Sequence, residues 1–431
     1  MNSKKIRVLI FPAGAENALE IYDAIKDNLN IEVFGASGKS DHASYLYDTE
    51  HYFEDNFYIT ARDFIPKFRE LLTKLKIDVL IPTHDTIALF FAKNRALFPT
   101  KILTASYHTA LICREKRKTF LLFGNYNFCP KVYNQPYEVS KTDYPIFSKP
   151  NIGEGGKGIR IIKSEQELSE IEGKDMILCE YLPGEEYTID CFTDSERQLK
   201  YIGMRTRERI QMGIAFRSCS LDTPEEIINM AQIINKNLDF IGGWFFQVKK
   251  DKMGNYKLLE ISCRMAGTMT LHRHKGINFS LLGIFEIMGI KTDFCELPCK
   301  ISLDRALYAL YRIDYKYEHI YLDYDDTVTK KENVNENVIK LLYQCKRKGI
   351  RVTLLTRHAG DLMESFENYC LHPKLFDEII HITFEQEKSD YINPQKAIFI
   401  DNSFTERKRV TERFGIPVFD VDAVDALLSN V

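Results

Sequence analysis

An acidic cluster late in the chain, YLDYDDTVT from Tyr321 to Thr329, has the residue types that could do chemistry. Three carboxylates lie within four residues, directly after an apolar run that predicts a buried strand. Open α/β sheets place their sites at the carboxyl ends of such strands. There, Asp323 could attack phosphorus while Asp325 moves a proton. Because neighbouring carboxylates repel one another without a cation, the cluster is either a metal-bound centre or a solvated acidic turn.

Three later residues would complete a phosphate-handling site. Thr356 ends the apolar strand VTLLT and could donate a hydrogen bond to a phosphate. Lys388, in FEQEKSD, could supply counter-charge, and Asp401 ends the strand AIFID, where it could complete a magnesium site.

The Asp-x-Asp-x-Thr motif that begins at Asp323, followed in order by these three residues, resembles the four motifs of haloacid-dehalogenase-type phosphatases. The resemblance covers about residues 317–431. It implies that Asp323 is the nucleophile, that Asp325 is the general acid and base, and that Thr356 and Lys388 bind the phosphoryl group. The implied ligands of Mg²⁺ or Mn²⁺ are Asp323, Asp325 and Asp401.

Two features of this region bear on its activity. The fourth motif departs from the family pattern, because Asn402 follows its aspartate and the next acid is Glu406. We therefore keep as an alternative a catalytically weak domain that serves as a docking or structural module. Between Thr329 and Thr356 there is room for one helix but not for a cap domain, so we expect an open, capless site.

A glycine-rich loop in the middle of the chain, SKPNIGEGGKGI from Ser148 to Ile159, has four glycines in six residues. Glycines let a backbone approach an anion closely and point its N–H groups at it. Lys149 and Lys157 would add positive charge against a phosphate. The residues alone leave phosphate binding and a flexible hairpin tip about equally open.

Two later segments place polar side chains on strands. In CEYLPGEEYTID, Glu180 and the backbone at Leu182 could contact an adenine edge, and Glu186 could accept from ribose hydroxyls. In WFFQVKKDKMGNYKLLEISCR, alternation puts three side chains on one face of a sheet. Oxygen ligands of this kind suit magnesium held with nucleotide phosphates, and Arg264, on the same face, could pair with a transferring phosphoryl group. The three side chains are Gln247, Glu260 and Ser262.

Together these segments resemble the ATP-grasp family, in particular its carbamoyl-phosphate-synthetase-like carboxylate–amine ligases, over about residues 5–290. The resemblance implies ATP as substrate, Mg²⁺ or Mn²⁺, and an acylphosphate that an amine attacks. The family usually has Glu-x-Asn where this chain has Glu260 and Ser262. The implied ATP-binding residues are Lys116, Lys149, Gly153, Gly155, Gly156, Lys157, Gly158, Glu180, Leu182 and Glu186. Arg264 is the implied catalytic cation, and the implied metal ligands are Gln247, Glu260 and Ser262.

Three alternating arginines, Arg205, Arg207 and Arg209 in MRTRERIQMG, would share one face of an extended strand. They could hold a carboxylate or phosphate of the substrate, although a solvated basic face is about equally favoured.

Hydrophobic periodicity predicts the elements that must position these residues. Strands alternate with helices over 1–108, longer strands with charged hairpins occupy 109–316, and the βαβ pattern returns over 317–431. We therefore expect a multidomain α/β and α+β protein. It would have a pre-ATP-grasp α/β domain, an ATP-grasp domain of two subdomains with nucleotide between them, and a C-terminal Rossmann-like, capless haloacid-dehalogenase-type domain.

Composition excludes several classes of function. The 431 residues carry a formal net charge of −3, without a basic tract for nucleic acid and without an apolar run long enough to span a bilayer. The ten cysteines lack paired spacing, which favours reduced thiols in a cytoplasmic protein. We expect two small-molecule partners, a carboxylate and an amine, and the amine is either free or already phosphorylated. We leave a homo-oligomer open.

The function predicted from the sequence is therefore bifunctional. One part would ligate a carboxylate to an amine with ATP. The other would hydrolyse a phosphomonoester through an aspartyl-phosphate, on a phosphorylated amine or on its amide product.

Overall fold

Alternation of buried strands and amphipathic helices builds the first part of the chain in the computed structural model, which describes residues 4–428 apart from 154, 172 and 212. The chain divides into two compact units, Met1–Leu307 and Tyr308–Val431. This boundary falls before the one predicted at 316/317. The division at 108/109 stays a prediction, because the first unit contains both sides of it.

The first sheet has five parallel strands in the order β3-β2-β1-β4-β5. Apolar strand residues are fully buried against helices, and the core includes a cluster of phenylalanines around Phe11 and Phe68. The strands are β1 (Ile6–Phe11), β2 (Ile31–Ser37), β3 (Tyr52–Glu54), β4 (Val79–Pro82) and β5 (Lys101–Ile102). The helices are α1 (Glu16–Ile25), α2 (Phe64–Lys74), α3 (Asp85–Lys93), α4 (Tyr107–Arg114) and α5 (Lys116–Phe123).

The second sheet is a small antiparallel one in the order β6-β9-β7-β8, and the glycine-rich loop connects β7 to β8. Its elements are β6 (Val132–Tyr133), β7 (Ile146–Pro150), β8 (Arg160–Ile162), α6 (Glu165–Ser169) and β9 (Met176–Glu180).

The third sheet is antiparallel, in the order β12-β13-β11-β10-β14-β15, with β16 paired to β13. Its strands are β10 (Glu186–Thr193), β11 (Leu199–Thr206), β12 (Glu208–Gln211), β13 (Ile214–Leu221), β14 (Gly242–Lys250), β15 (Tyr256–Ser262) and β16 (Ser302–Asp304). The helices are α7 (Glu225–Asn237), α8 (Thr270–Arg273) and α9 (Phe279–Met288).

The second unit has a parallel sheet in the order β21-β20-β17-β22-β23 and a short hairpin, β18–β19. The hairpin and α10 occupy the segment between β17 and β20, where the sequence predicted no cap domain. The strands are β17 (His319–Leu322), β18 (Thr329–Lys330), β19 (Asn333–Val334), β20 (Arg351–Thr356), β21 (Glu378–His381), β22 (Ala397–Ile400) and β23 (Val418–Phe419). The helices are α10 (Glu336–Lys348), α11 (Leu362–Asn368) and α12 (Phe404–Phe414).

The mixed α/β multidomain architecture expected from the sequence is confirmed. Within the described residues, no helix combines the length and apolarity needed to cross a membrane.

Candidate active sites

A cavity of about 320 Å³ lies between the second and third sheets of the first unit. It brings together residues from five separate stretches of sequence, which is what the sequence interpretation of a nucleotide site requires. The predicted residues that line it are Lys116, Lys149, Gly153, Gly155, Gly156, Lys157, Glu180, Leu182, Glu186, Arg207, Gln247 and Glu260. Gly158 lies outside this lining and packs against Pro150, although it belongs to the same loop.

Two buried lysines form one end of the cavity. Lys116, the first residue of α5, donates to the carbonyl of Gly153 at 3.3 Å and lies 3.9 Å from the Glu260 carboxylate. Lys149, on β7, donates to the carbonyl of Leu259 at 2.7 Å, and burial lowers the pKa of its ammonium group. Both ammonium groups thus face backbone oxygens that a phosphate could replace.

A β-bulge explains why the carbonyl of Leu259 is available. Gln247 pairs with Glu260 across β14 and β15, but the next residue, Val248, pairs with Leu258. Leu259 is therefore left without a partner in the ladder, as is usual at a bulge. The apolar spacing of the strand carries no signal for this feature.

Glu180, at the end of β9, is held by two hydrogen bonds to the backbone of Lys131. The Glu180 carboxylate accepts from the backbone N–H of Lys131 at 2.8 Å, and the Glu180 N–H donates to the Lys131 carbonyl at 2.9 Å. The carboxylate is thus engaged by protein, so the backbone at Tyr181 and Leu182, which also line the cavity, is what remains for a base edge.

Arg207 lines the cavity and contacts several of the other residues that line it. Its guanidinium contacts the Glu186 carboxylate at 2.7 Å and donates to the Gly213 carbonyl at 3.0 Å. The Gln247 amide, oriented so that both its ends are paired, accepts from Arg207 at 2.9 Å and donates to Glu260 at 3.3 Å. Burial lowers the pKa of Arg207, against the opposing effect of Glu186. One side chain therefore links the predicted ribose acid to the predicted metal ligands.

The loop and a neighbouring turn meet beside Arg207. A Cβ on Gly213 would lie 2.4 Å from the backbone carbon of Gly155, so only glycine allows this approach. The contact is between the glycine-rich loop and the connection from β12 to β13.

The lining is electropositive. Among the described residues it has five cationic side chains against three acidic ones, which suits a polyanionic ligand. The cations are Lys116, Lys149, Lys157, Arg207 and Lys249, and the acids are Glu180, Glu186 and Glu260.

Ser262 and Arg264 do not face the cavity as predicted. The Ser262 hydroxyl donates to Asp85 at 2.6 Å, and Arg264 pairs with the same carboxylate at 2.9 Å. Burial raises the pKa of Asp85, but Arg264 and Ser262 outweigh that effect and the pKa is lowered. The structure thus corrects the assignment of Ser262 beside Gln247 and Glu260, because its hydroxyl is engaged by an acid of the first sheet.

The three alternating arginines have three different partners, which corrects the expectation that they act together. Arg205 is fully buried and pairs with Asp190 at 2.5 Å. Arg209 instead pairs with Asp304, outside the cavity. Only Arg207 is placed to meet a ligand of the cavity.

Sequence reasoning missed two side chains that contact predicted site residues. Asp85, the first residue of α3, pairs with Arg264 and bonds to Ser262, which is 177 residues away in sequence, and no local signal predicts these contacts. Arg114 donates to the Gly153 carbonyl at 3.2 Å beside Lys116. Its position two residues before that lysine, in the basic patch CREKRKTF, was the available signal.

The second unit has a separate charged cluster at the carboxyl ends of adjacent parallel strands. The Lys388 ammonium group lies 2.5 Å from Asp323, which follows β17, and 2.7 Å from Asp401, which follows β22. All three are buried. Burial and the neighbouring Asp401 raise the pKa of Asp323 despite Lys388, and burial likewise raises the pKa of Asp401.

Two hydroxyls accompany this cluster. Thr356 ends β20, the neighbour of β17, and its buried hydroxyl has no hydrogen-bond partner among the described residues. Thr327 Oγ1 donates to Asp323 at 3.5 Å and accepts from the Asn402 N–H at 3.2 Å. A buried hydroxyl without a partner is costly, so Thr356 is ready to bond to a ligand.

Asp325 lies apart from the other predicted metal ligands. Its carboxylate, half-exposed, contacts His358 Nδ1 at 2.9 and 3.1 Å. No group of three or more His, Cys, Asp or Glu within the described ranges is arranged to hold a metal ion. Asp323 and Asp401 offer the oxygen donors that magnesium prefers, while Asp325 faces a histidine, and the three-carboxylate set stays a prediction.

The structure also places the two residues in question after the aspartate of the fourth motif. Asn402 is exposed and contributes its backbone N–H. Glu406 accepts from Arg357 at 3.1 Å and from Arg409 at 3.3 Å. Glu406 is therefore tied to arginines.

Comparison with known proteins identifies the fold of the first unit. A family model described as "ATP-grasp in the biosynthetic pathway with Ter operon" matches residues 172–301, within that unit. The biotin carboxylase domain of Hydrogenobacter thermophilus 2-oxoglutarate carboxylase, solved with MgADP, ADP and bicarbonate, has a TM-score of 0.57 at 15% identity, covering 68% of this chain and 72% of that one. The chain contains an ATP-grasp domain.

Two further ATP-grasp neighbours are similar in extent. N5-carboxyaminoimidazole synthetase from Staphylococcus aureus has a TM-score of 0.52 at 16% identity, covering 69% of this chain and 82% of that one. L-amino acid ligase from Bacillus licheniformis has a TM-score of 0.51 at 16% identity, covering 67% and 75%. At this identity the likeness describes the fold alone. No protein with a curated description matches the chain at a significant level.

Proposed function

We propose that the ATP-grasp part of the chain uses ATP to join a carboxylate to an amine through an acylphosphate. The observation that carries the proposal is the cavity that gathers Lys116, Lys149, the glycine-rich loop, Arg207 and the Gln247–Glu260 pair. A phosphoryl group that leaves ATP develops charge that such cations stabilise.

The donor set fits magnesium bound with the nucleotide. Gln247 and Glu260 face each other across two strands and offer oxygen ligands beside the lysines. When held there by Gln247 and Glu260, magnesium would offset the negative charge of the phosphate groups. Lys149 and Lys116 would bind phosphate, Glu186 would accept from the ribose, and the glycine-rich loop would exclude water from the acylphosphate.

The balance of the reaction follows from this placement. A carboxylate oxygen attacks the terminal phosphorus, the bond to the bridging oxygen of ADP breaks, and ADP leaves with the electron pair. An amine then attacks the acyl carbon, the bond from that carbon to the phosphate oxygen breaks, and phosphate leaves with the electron pair and takes up the proton that the amine loses. An ATP-grasp neighbour described as an L-amino acid ligase and a family model placed in a biosynthetic pathway are in keeping with this class of reaction.

The test is ADP formation from ATP, magnesium and a panel of carboxylates and amines, phosphorylated amines included. The wild type should release ADP only when both substrates are present. Lys149→Ala should not, because the cavity loses a buried ammonium group that would bind phosphate. Arg217→Gln, an exposed residue on β13 that pairs with Asp304, is the matched control. An unchanged ADP yield from Lys149→Ala would refute the nucleotide assignment.

We propose a second activity, hydrolysis of a phosphomonoester, for the second unit. Two observations favour it: the buried Asp323–Lys388–Asp401 cluster, and the Thr356 hydroxyl at the end of the neighbouring strand, which is buried without a hydrogen-bond partner among the described residues. Together they make a small polar site at the carboxyl edge of a parallel sheet, where ligands of such sheets bind.

The chemistry would proceed in two balanced steps. An Asp323 oxygen attacks phosphorus, the bond to the ester oxygen breaks, and that oxygen leaves with the electron pair and a proton from Asp325. Water then attacks the phosphorus of the aspartyl-phosphate and gives its proton to Asp325, which releases phosphate and restores Asp323. Magnesium, held by Asp323 and Asp401, would offset the charge on the phosphoryl group.

Release of phosphate from an aryl phosphate with magnesium tests this activity. The wild type should be active and Asp323→Asn inactive. Equal rates would instead favour a docking or structural module. The products that Asp323→Asn makes from the acid and phosphorylated-amine panel, read by mass spectrometry, test whether both units serve one molecule. A phosphorylated amide should accumulate, and a product without phosphate would contradict that order of steps.

A further inference from the structure

His358 is the closest described partner of the Asp325 carboxylate, and the proposed phosphatase chemistry gives it no role. Its Nδ1 lies 2.9 Å from one carboxylate oxygen and 3.1 Å from the other. Because a carboxylate only accepts, the ring nitrogen is assigned as the donor.

The imidazole is itself held on several sides. Its ring meets the Tyr324 ring edge to face at 5.3 Å, and the Tyr324 hydroxyl bonds to Ser365 at 2.9 Å. The His358 carbonyl accepts from His381 at 2.8 Å. Only 19% of its side chain is exposed, although half of the Asp325 side chain is. A largely enclosed histidine side chain thus contacts a half-exposed carboxylate.

Three consecutive residues at the end of β20 each have a different environment in this site. Thr356 has a buried hydroxyl that lacks a hydrogen-bond partner within the described part of the chain. Arg357 donates to the Gln386 carbonyl at 2.7 and 3.0 Å and to Glu406, which ties the segment after β21 and the first turn of α12 to this end of the sheet. His358 reaches Asp325. One short segment therefore carries the residue proposed to bind phosphate, the arginine that contacts neighbouring segments, and the histidine that contacts the proposed proton donor.

We propose that His358 is a positioning residue that holds Asp325 where it can protonate the leaving oxygen. The role rests on the proposed phosphatase activity. Asp325 must reach an oxygen that departs from phosphorus, and an exposed carboxylate explores several rotamers unless it is held. Fixing it with a largely enclosed imidazole keeps the proton within reach as the P–O bond breaks.

The leaving group decides the test. Dinitrophenolate leaves without a proton, whereas phenolate needs one, so loss of a positioned acid affects phenyl phosphate far more. The measured quantity is kcat/KM, which covers steps up to release of the first product and leaves out breakdown of the aspartyl-phosphate.

For His358→Ala we expect kcat/KM on phenyl phosphate to fall about 10- to 100-fold, which is less than the roughly 100- to 10,000-fold contribution of a general acid because Asp325 itself remains. On 2,4-dinitrophenyl phosphate it should stay within about twofold, which also shows that the variant is folded. His358→Asn should recover most of the loss, because its amide can donate from nearly the position of Nδ1. His372→Ala, an exposed histidine of the same unit, is the control and should change neither substrate.

A double variant separates positioning from a structural effect. In an Asp325→Asn background, His358→Ala should cause no further loss on phenyl phosphate, because the two residues act as a unit. Equal losses on both substrates, no loss on either, or an additive loss in the double variant would overturn the role of His358. Wild-type inactivity on dinitrophenyl phosphate would overturn the phosphatase proposal itself, and the role of His358 with it.

Discussion

Replacing Arg207 with glutamine should weaken nucleotide binding more than any other single change on the cavity floor. The guanidinium contacts Glu186, Gln247 and the Gly213 carbonyl at once, and only 8% of its side chain is exposed. Its removal leaves the Glu186 carboxylate without a cation in a cavity that must accept a polyanion.

The size of the effect follows from these contacts. Hydrogen bonds to charged groups contribute about 1.5–3 kcal/mol each, and truncating one partner of a fully buried pair costs about 3–5 kcal/mol. Since a quarter of the Glu186 side chain is exposed, the lower range applies. We expect a net loss of about 1.5–3 kcal/mol, which is roughly a 10- to 100-fold rise in the Kd for MgATP.

Isothermal titration calorimetry with MgADP and with a non-hydrolysable ATP analogue measures this directly. Arg217→Gln, on the neighbouring strand and half-exposed, is the matched control and should bind as the wild type does. Adding Glu186→Gln to Arg207→Gln should recover part of the loss, because the uncompensated charge is then gone. An unchanged Kd for Arg207→Gln, or a double variant that binds more weakly than Arg207→Gln, would refute the reasoning.

Two further predictions concern stability and its dependence on pH. Burial raises the pKa of Asp401, so the charge of its carboxylate costs stability as the pH rises through the folded-state pKa. In EDTA at neutral pH, Asp401→Asn should therefore raise the free energy of unfolding by about 1–2 kcal/mol. This gain should vanish below about pH 4, where the carboxyl group is protonated. A Tm that falls at neutral pH would contradict this. The pKa of Asp85 is lowered because the effects of Arg264 and Ser262 outweigh that of burial. Its carboxylate therefore stabilises the folded state above the unfolded-state pKa, and this stabilisation is lost as the pH falls through the folded-state pKa. Asp85→Asn should cost about 1–3 kcal/mol above about pH 4 and less below it. Denaturant unfolding across pH measures both, and a cost for Asp85→Asn that grows in acid would show that the carboxylate is not the stabilising form.

Short-range signals and the ATP-grasp resemblance together predicted the residues that line the cavity of the first unit. Glycine spacing in the loop, the lysines that flank it, and the placement of Gln247 and Glu260 on strands are short-range signals, whereas Lys116 was implied by the resemblance alone. The placement of Asp323, Thr356 and Asp401 followed from a second rule, that parallel strands end at a common edge.

The errors came from contacts between distant segments. Period-two alternation placed Arg205 with Arg207, but the side chain opposite each one decides its role, and Asp190 engages Arg205 in the core. Ser262 was expected at the metal because it alternates with Glu260, yet Asp85, from another sheet, accepts its hydroxyl. Neither partner can be read from the spacing of a single strand.

The domain outline shows the same limit. Periodicity located the change back to βαβ structure near residue 315, and the compact second unit begins at Tyr308. The His358–Asp325 contact was missed because it joins two strand ends that are 33 residues apart.

Transfer of oxygen from the acid substrate tests the central proposal most directly. With a carboxylate labelled with ¹⁸O that supports ADP release, the phosphate formed with the amide should carry one ¹⁸O atom, because the acylphosphate oxygen leaves with phosphorus. Phosphate without label, or AMP and pyrophosphate in place of ADP and phosphate, would contradict ligation through an acylphosphate.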